Sequence, residues 1–312
     1  MKSRSEMLPP RSLALAAPRG GACSGPAEPD PRKDLGLGLR RRSVLAVAGT
    51  LLWPGVSSAE GSGNLARIRE RGSLTVGLYQ EMPPFHDAGK GIDVEIGRAL
   101  AEALGVKFSP MPFQAGEGMN DDLRNMVWKG HYLGWGPADV LLHVPVERPL
   151  MQANPQVQIV APYYRERVVL AVDSEQIGSV QNLSELQGHA VAVAGQSMAG
   201  WVLAGADGGV LAGKLLTAFA DGVGAAQALR AGQAHAAAGL ASELESVLSA
   251  DRRYKLQPLP SPRVPPGGWA VGCAVRQDAN ELAGALQQAM LALRDSGRLQ
   301  ALFAQHRVGW TL

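Results

Sequence analysis

The chain has 312 residues, of which 46% are hydrophobic and 19% are charged, and its formal net charge is +2. This composition is that of an ordinary globular protein with one large domain or two small ones. Several of the arginines lie before residue 43, so the rest of the chain is close to neutral. No basic face indicates a nucleic-acid partner, and we exclude that class.

Residues 1–59 are predicted to form a leader that ends in an export signal. Three consecutive arginines (residues 40–42) precede 13 apolar or small residues (44–56), which are followed by Ser-Ser-Ala at 57–59. Such a run is too short to cross a bilayer of roughly 30 Å as a helix. The pattern predicts a cleavable signal, either twin-arginine or Sec, and a periplasmic location. A buried N-terminal helix is the alternative.

Cleavage would remove Cys23 and leave Cys273, which lies in the apolar run WAVGCAV. A lone cysteine cannot form an internal disulfide, so we expect Cys273 to be buried and inert. The exported protein would then depend on its hydrophobic core alone.

The segments that follow alternate between strand and helix patterns. Strands show β-branched or alternating apolar residues, and helices show apolar residues at spacings of three and four. The predicted order is a strand at SLTVGLY, a helix at IDVEIGRALAEALGV, a strand at VKFSPMPF, a helix at DDLRNMVWKG and a strand at ADVLLHV. This β-α-β-α-β order predicts a parallel sheet with helices on its faces.

A second, similar unit follows. QVQIVAPYYRERVVLAV predicts two strands separated by Pro162, AVAVAG predicts a strand, and residues 196–200 predict a loop that enters a helix. LLTAFADGVGAAQALRAGQAHAAAGL predicts strand, helix and strand. After a proline-rich stretch, GWAVGCAV predicts a last strand, and the remainder predicts a long helical region broken near Gly297. Ligands of such sheets bind at the carboxyl ends of the strands, here in a cleft between two lobes.

This order of segments resembles that of bacterial extracellular solute-binding proteins of family 3, known as amino-acid receptors of ABC importers. The resemblance covers about residues 64–312 and rests on RGSLTVGLYQEMPPF, GIDVEIGRALAEALGVK, VPVERPLMQANPQVQIVAPYY, LRAGQAHAAAG and LRDSGRLQALFAQH. It implies an α/β, periplasmic-binding-protein-like fold with two lobes joined by crossover strands. Lobe 1 would comprise residues 60–164 plus 268–312, and lobe 2 residues 165–267, with hinge closure around a ligand.

The binding pattern of that family is only partly present. Its amino-acid receptors use Thr-x-x-Arg, in which the arginine grips the ligand carboxylate; Arg148 matches the arginine, but Pro145 stands at the threonine. An aspartate usually holds the ligand ammonium where this chain has Gly239 and Leu240. The resemblance therefore implies an anion clamp at Arg148, whereas the departures at Pro145 and at Gly239 and Leu240 disfavour standard amino-acid binding. The alternative for Arg148 is a solvated or ion-paired surface residue.

Further candidate ligand-binding residues lie in loops beside predicted strands. Phe85, in the loop MPPF, is expected to pack on a ligand or beneath the loop. His143 is expected to point into the cleft or to be a structural residue. The loop between a strand and the next helix offers free N–H groups that favour anions. The full set of candidates is Tyr79, Met82, Phe85, His143, Arg148, Gln196, Ser197, Met198 and Gly239.

No catalytic group, metal or cofactor is predicted. His131 and His143 are twelve residues apart and lack a His-x-x-x-His or cysteine pair beside them. Ser197 in GQSMAG does not fit Gly-x-Ser-x-Gly. The segment HYLGWGP (131–137) is longer than the corresponding turn of the family, and its Tyr132 and Trp135 form either a pocket lip or partner surface, or a loop tucked against its own lobe.

The sequence thus predicts a monomeric, non-enzymatic periplasmic protein. It would capture a small polar or carboxylate-bearing solute and present it to an ABC permease in the inner membrane. Two alternatives stay open. One is a transport-independent accessory protein of a periplasmic quinoprotein (alcohol) dehydrogenase, and the other is a ligand-sensing module.

Overall fold

Two five-stranded sheets, each covered by helices, organise residues 63–312, the part of the chain that the computed structural model describes. The predicted leader and export signal at residues 1–59 lie outside the described residues. The strands are β1 (Ser73–Tyr79), β2 (Lys107–Phe113), β3 (Val140–Pro145), β4 (Val157–Glu166), β5 (Val168–Asp173), β6 (Val191–Val193), β7 (Leu215–Leu216), β8 (Ala236–Leu240), β9 (Tyr254–Pro258) and β10 (Trp269–Arg276).

The α-helices follow the order expected from the apolar spacing, with three that were not predicted. They are α1 (Asn64–Arg71), α2 (Ile92–Ala103), α3 (Met119–Leu123, continued by a π-helical turn over Arg124–Trp128), α4 (Arg148–Ala153), α5 (Met198–Ala204), α6 (Gly222–Arg230), α7 (Ala241–Leu248), α8 (Asn280–Asp295) and α9 (Arg298–Gln305). The unpredicted helices are α1, α4 and α7. None of the helices within residues 63–312 combines the length and apolar character that a membrane span requires.

The first sheet has the strand order β2-β1-β3-β10-β4. Strand β1 runs parallel to β2 and β3, which confirms the predicted β-α-β-α-β unit, whereas β10 runs antiparallel to β3 and β4. Its core includes Leu74, Leu100 and Phe303, all fully buried. Cys273 is buried in β10 as expected, and burial raises the pKa of its thiol, which favours the unreactive protonated form.

The second sheet has the strand order β7-β6-β8-β5-β9. Strand β6 runs parallel to β7 and β8, and β5 runs antiparallel to β8 and β9. Alanines form the first three positions of β8, where Ala236, Ala237 and Ala238 are fully buried between helices on both faces. Strand β9 was not predicted, because it leads into a proline-rich segment that masks its pattern.

The predicted break at Pro162 was wrong, because β4 runs through this residue from Val157 to Glu166. Strand β4 is an edge strand, where a missing N–H removes no bond to a further strand. Its pairing with β10 has a bulge at this point. The Ala161 N–H donates to the side chain of Gln287 at 2.8 Å instead of to a strand. The chain leaves the sheet at Arg167, between β4 and β5.

We call the first sheet with α1–α4, α8 and α9 the first half, and the second sheet with α5–α7 the second half. Several polar contacts join them beside the crossover from β4 to β5. The Ser242 hydroxyl donates to the buried carboxylate of Glu166. Glu245 lies 3.6 Å from the Arg167 guanidinium and accepts the Gly309 N–H at 2.7 Å.

Candidate functional site

A cavity of about 710 Å³, which we call the inter-sheet cavity, lies between the two halves. Most of its lining comes from the second half: residues 194–199 after β6, residues 217–222 after β7, and Gly239, Leu240 and Glu243 at the end of β8 and the start of α7. The first half adds Glu81 and Met82 after β1, together with Trp269 at the start of the antiparallel strand β10. The cavity therefore lies at the carboxyl ends of the parallel strands, where ligands of such sheets bind.

The segment after β6 turns tightly into α5 through Ser197. The Ser197 hydroxyl accepts the Gly200 N–H at 3.1 Å and donates to the Ala194 carbonyl at 2.7 Å. A Cβ at Gly200 would lie 2.5 Å from that carbonyl, so only glycine permits the close turn. Since both hydrogen-bonding roles of the hydroxyl are taken within the loop, Ser197 shapes the cavity through its position.

Two carboxylates on the second-half side of the cavity are held by helix caps. Asp221 caps α6, because its Oδ1 accepts the Gly224 N–H at 2.8 Å. Glu243 lies in the first turn of α7, and its Oε2 accepts the Leu240 N–H at 3.0 Å. Within residues 63–312, Asp221 Oδ2 has no hydrogen-bond partner, and the Glu243 carboxylate also accepts a hydrogen bond from the Gly222 backbone. Backbone N–H groups thus fix both side chains, and both carboxylates still face the cavity.

The charged side chains that line the cavity are all carboxylates, namely Glu81, Asp221 and Glu243. Burial raises the pKa of Glu243 to about 7, against the opposing effect of hydrogen bonds from Leu240 and Gly222. The nearby carboxylates of Glu166 and Asp221 raise this pKa further. A positive ligand group would favour the ionised form of Glu243, and a negative group would meet like charge.

On the first-half side, a tight turn presents Glu81 and Met82 to the cavity. The Met82 N–H donates to the His86 carbonyl, and the Phe85 and His86 N–H groups both donate to the Met82 carbonyl, each at 2.9 Å. Glu81 has a φ of +53°. This left-handed backbone is uncommon for a residue other than glycine and is typical of turns and functional sites.

The structure brings five of the nine predicted residues together and leaves four outside the cavity. Those that line it are Met82, Gln196, Ser197, Met198 and Gly239. Those that do not are Tyr79, Phe85, His143 and Arg148. The ligand-binding role of every one of them stays a prediction.

Phe85 and His143 lie in a buried cluster of the first half. Phe85 is 1% exposed, and its ring centroid is 4.1 Å from that of His143. The His143 N–H donates to the Tyr163 hydroxyl at 3.0 Å, and this hydroxyl donates to Asp93 at 2.7 Å. The Nδ1 atom of His143 is 3.4 Å from the same carboxylate. These contacts fit the structural alternative for His143 and the position beneath the loop for Phe85.

Tyr79 is buried within the first half, whereas the side chain of Arg148 is exposed to solvent. The buried Tyr79 hydroxyl donates to Asp122 at 3.1 Å, and Asp122 also accepts the Gly116 N–H at 2.7 Å. Burial raises the pKa of Asp122. Arg148 begins α4 with an exposed side chain that makes no ion pair or hydrogen bond within residues 63–312. This is the solvated alternative for Arg148 in the conformation described.

The loop HYLGWGP shows both of the arrangements expected for it, one at its tip and the other at Trp135. Tyr132 is 88% exposed and Leu133 is 69% exposed, so the tip faces solvent. Trp135 instead stacks on His131, with ring centroids 4.1 Å apart and planes at 11°, and its ring lies 6.4 Å from that of Phe113. These residues border a second cavity of about 500 Å³ within the first half. The loop is therefore tucked at Trp135 and projects at Tyr132.

Sequence reasoning missed the carboxylates Glu81, Asp221 and Glu243 as lining residues. The resemblance directs attention to Gly239 and Leu240, where the family's aspartate would stand. Here the nearest carboxylate comes three residues later in the chain, from the first turn of α7. Asp221 had a detectable signal, because an aspartate before a predicted helix and after a predicted strand is placed at the ligand-binding edge.

Comparisons with known proteins identify the fold. No family model matches the chain. An 81-residue stretch is 40% identical to the L-cystine-binding protein TcyJ of Escherichia coli, which is 24% of this chain and 30% of that protein. The chain thus matches less than a third of the length of this curated relative.

Solved structures match over most of the chain. An ancestral cationic amino acid solute-binding protein, AncCDT-1, matches 78% of this chain and 99% of its own, with a TM-score of 0.60 and 19% identity. The L-cystine solute receptor of Neisseria gonorrhoeae, in its unliganded open conformation, matches 79% and 97%, with a TM-score of 0.56 and 23% identity. The chain therefore has the periplasmic-binding-protein-like fold of amino-acid and cystine solute-binding proteins, which confirms the predicted fold class and resemblance.

One of these neighbours also has a connection to catalysis. AncCDT-1 is described as a precursor of cyclohexadienyl dehydratase in another of its structures, which matches 78% of this chain with a TM-score of 0.52. The structural neighbours are mostly solute-binding proteins. That this chain is not an enzyme stays a prediction.

Proposed function

We propose that this protein binds a small, positively charged solute in the inter-sheet cavity and presents it to a membrane importer. The observation that supports the ligand class is the charge of the lining, where Glu81, Asp221 and Glu243 are present and no basic residue is. The export signal predicted at residues 1–59 and the fold shared with solute receptors support a periplasmic location and an ABC permease as the partner.

The geometry favours a donor of several hydrogen bonds. The carboxylates of Asp221 and Glu243 both line the cavity, and a charge-assisted hydrogen bond contributes about 1.5–3 kcal/mol. A solute whose only charge is a carboxylate would enter a cavity lined by like charges, with no cation in the lining to offset its lost hydration. Met82 and Trp269 would contact the apolar part of the ligand.

Closure would complete the site. A ligand held by the second half and touched by Glu81 and Met82 has contacts in the closed state that it lacks in the open one. Only this difference in affinity shifts the equilibrium towards closure. An amino acid fits this scheme if its ammonium meets Asp221 and Glu243 while closure brings Arg148 to its carboxylate. An amine without a carboxylate fits it without Arg148.

A thermal-unfolding screen of the purified protein tests the ligand class. The panel contains amines without a carboxylate, basic, neutral and acidic amino acids, carboxylic acids and alcohols. We expect stabilisation by one or more cationic solutes, since a ligand at 100 times its Kd stabilises the folded state by about 2.7 kcal/mol. Stabilisation by carboxylic acids or alcohols, with none from any cation, would overturn the proposed ligand class.

The quinoprotein dehydrogenase hypothesis is a second candidate, favoured by the exposed tip of HYLGWGP. Tyr132 and Leu133 present apolar surface to solvent, as partner-binding residues often do. Titration of this protein into a purified periplasmic quinoprotein dehydrogenase tests it. This candidate predicts binding that Tyr132→Ser with Leu133→Ser weakens at least about tenfold, and equal binding by the variant would contradict it. The sensing module stays a prediction.

A further inference from the structure

Two histidines lie close together at the amino ends of two strands of the second sheet, on the side away from the inter-sheet cavity. His189 lies two residues before β6, and His235 lies directly before β8. Strands β6 and β8 are parallel neighbours, with Val191 paired to Ala236. Both histidines are therefore at the amino ends of these strands, whereas the cavity lies at the carboxyl ends. A ligand bound here would occupy a site distinct from the proposed solute site.

The backbone holds both residues in place. The His235 N–H donates to the Ala190 carbonyl at 2.9 Å, and the His189 N–H donates to the Leu186 carbonyl at 3.1 Å. Both side chains are half-buried, so water reaches the pair while the sheet restricts its movement. Such a pair needs little reorganisation to bind an ion with both imidazoles.

The nitrogen separation fits metal coordination. The Nδ1 atoms of His189 and His235 are 3.3 Å apart, and the rings are nearly perpendicular at 82°. Two imidazole nitrogens at about 2.0–2.1 Å from a tetrahedral zinc ion lie about 3.3–3.4 Å from each other. The same separation is slightly beyond the usual range of about 2.7–3.2 Å for a hydrogen bond from nitrogen. Without an ion, one Nδ1 must carry the proton that the other accepts.

The local charge also favours a cation. Asp173 lies beside His235, because its N–H donates to the His235 carbonyl at 3.1 Å. Its carboxylate is paired with Arg253, which also contacts Glu175. These three charges sum to −1. Within residues 63–312, no group of three or more His, Cys, Asp or Glu side chains is placed to hold a metal. The pair would therefore supply two protein ligands, and water would supply the others.

We propose that His189 and His235 form a binding site for a divalent late first-row transition-metal ion. Imidazole nitrogen suits copper, nickel and zinc, and affinity should be highest for Cu²⁺ among them. Binding requires both Nδ1 atoms to be unprotonated, with Nε2 carrying the proton on each ring.

Calorimetric titration of the tag-free full chain with CuCl₂ tests the proposal, with Cys23→Ser in every sample so that its thiol does not compete. We expect one Cu²⁺ per chain, and electron paramagnetic resonance should show two nitrogen ligands. His189→Asn and His235→Asn should each lower the affinity at least about tenfold, the loss that removal of even an outer-shell partner causes. Thermal unfolding of each variant checks that it folds.

His131→Asn is the matched control, because His131 is also half-buried and packs on an aromatic ring but has no histidine neighbour. It should leave the Cu²⁺ affinity unchanged. The proposal is overturned if the parent chain binds no stoichiometric Cu²⁺, if the resonance shows fewer than two nitrogens, or if the two folded site variants retain the parent affinity.

Discussion

The two halves contribute to the inter-sheet cavity in different ways. The second half provides three loop segments and two carboxylates, Asp221 and Glu243, whose positions are fixed by helix caps. The first half provides Glu81, Met82 and Trp269, and its nearby aromatic residue Phe85 packs into its own core. In the second half, by contrast, polar groups at the strand ends face the cavity and are available to a ligand.

This difference has a physical basis. In the second half, β6 and β7 each end in a short loop that leads to a helix, and β8 runs directly into α7. Backbone groups and capping side chains therefore face the cavity. In the first half, the turn after β1 folds back through hydrogen bonds between Met82 and His86, which directs Phe85 inward. We infer that the second half makes the first contacts with a ligand and that the first half adds its contacts on closure.

The largest expected effect is that of Phe85→Ala on the stability of the first half. Removing a fully buried aromatic side chain leaves a cavity and should lower the free energy of unfolding by about 3–5 kcal/mol. Met82→Ala is the matched variant from the same turn. It should cost about 1 kcal/mol, because Met82 is half-buried, while weakening ligand binding. Urea denaturation measures both, and a loss under about 1 kcal/mol for Phe85→Ala would show that Phe85 is not a core residue.

The next effect concerns the contact between the halves. Ser242→Ala removes the hydroxyl that donates to the buried carboxylate of Glu166. Leaving that carboxylate without this partner should cost about 1–3 kcal/mol in unfolding free energy. Ser246→Ala, in the same helix but bonded only to a carbonyl one turn earlier, is the control and should cost under about 0.5 kcal/mol. Equal costs would contradict a role for the Ser242–Glu166 contact.

The third prediction is the pH dependence of cation binding. The pKa of Glu243 is about 7 without ligand, and a bound cation should lower it. The affinity should therefore be constant above about pH 7 and fall by up to about tenfold per pH unit below it. Calorimetry between pH 5.5 and pH 8.5 measures this, and Glu243→Gln should flatten the profile. An affinity that rises on acidification would contradict the assignment.

Without ligand, the same group affects folding with the opposite sign. The folded-state pKa of Glu243 is raised above its ordinary value of 4.5, so the folded protein retains a proton that the unfolded chain releases. Its contribution to stability is fully present below pH 4.5 and is lost as pH rises through about 7. Glu243→Gln should remove this slope from the stability profile.

The smallest effect is expected for Arg148→Ala. The side chain is exposed and unpaired in the conformation described, so the free energy of unfolding should change by less than about 0.5 kcal/mol. The affinity for an amine without a carboxylate should also be unchanged. Binding of an amino acid should weaken about tenfold if Arg148 reaches its carboxylate on closure. A large loss for the amine would show that Arg148 contributes to the cavity in another way.

The sequence predicted which residues lie near the carboxyl ends of strands better than it predicted which way individual side chains point. Residues 196–198 and Gly239 line the cavity because a residue that follows a parallel strand lies at the ligand-binding edge whatever its neighbours do. Whether Phe85 or Met82 faces a ligand depends on how the turn between them closes, and no periodicity encodes this.

The carboxylates show a second limit of sequence reasoning. Family resemblance places an acidic residue at Gly239 or Leu240, and this chain has none there. Glu243 reaches the same cavity from the next helix because its side chain folds back to the Leu240 N–H, a contact that appears only once strand and helix are in place. The prediction of a break at Pro162 failed for a related reason, since the effect of a proline depends on whether its strand is an edge strand.

The most direct measurement uses the first cationic solute that the screen identifies. Its affinity is compared between the parent chain and the double variant Asp221→Asn with Glu243→Gln. Asparagine still caps a helix and glutamine still accepts the Leu240 N–H, so the charges are removed while the caps remain. We predict a loss of at least about 30-fold by calorimetry, which corresponds to about 2 kcal/mol. An unchanged affinity in the folded double variant would contradict a cation site between the two halves.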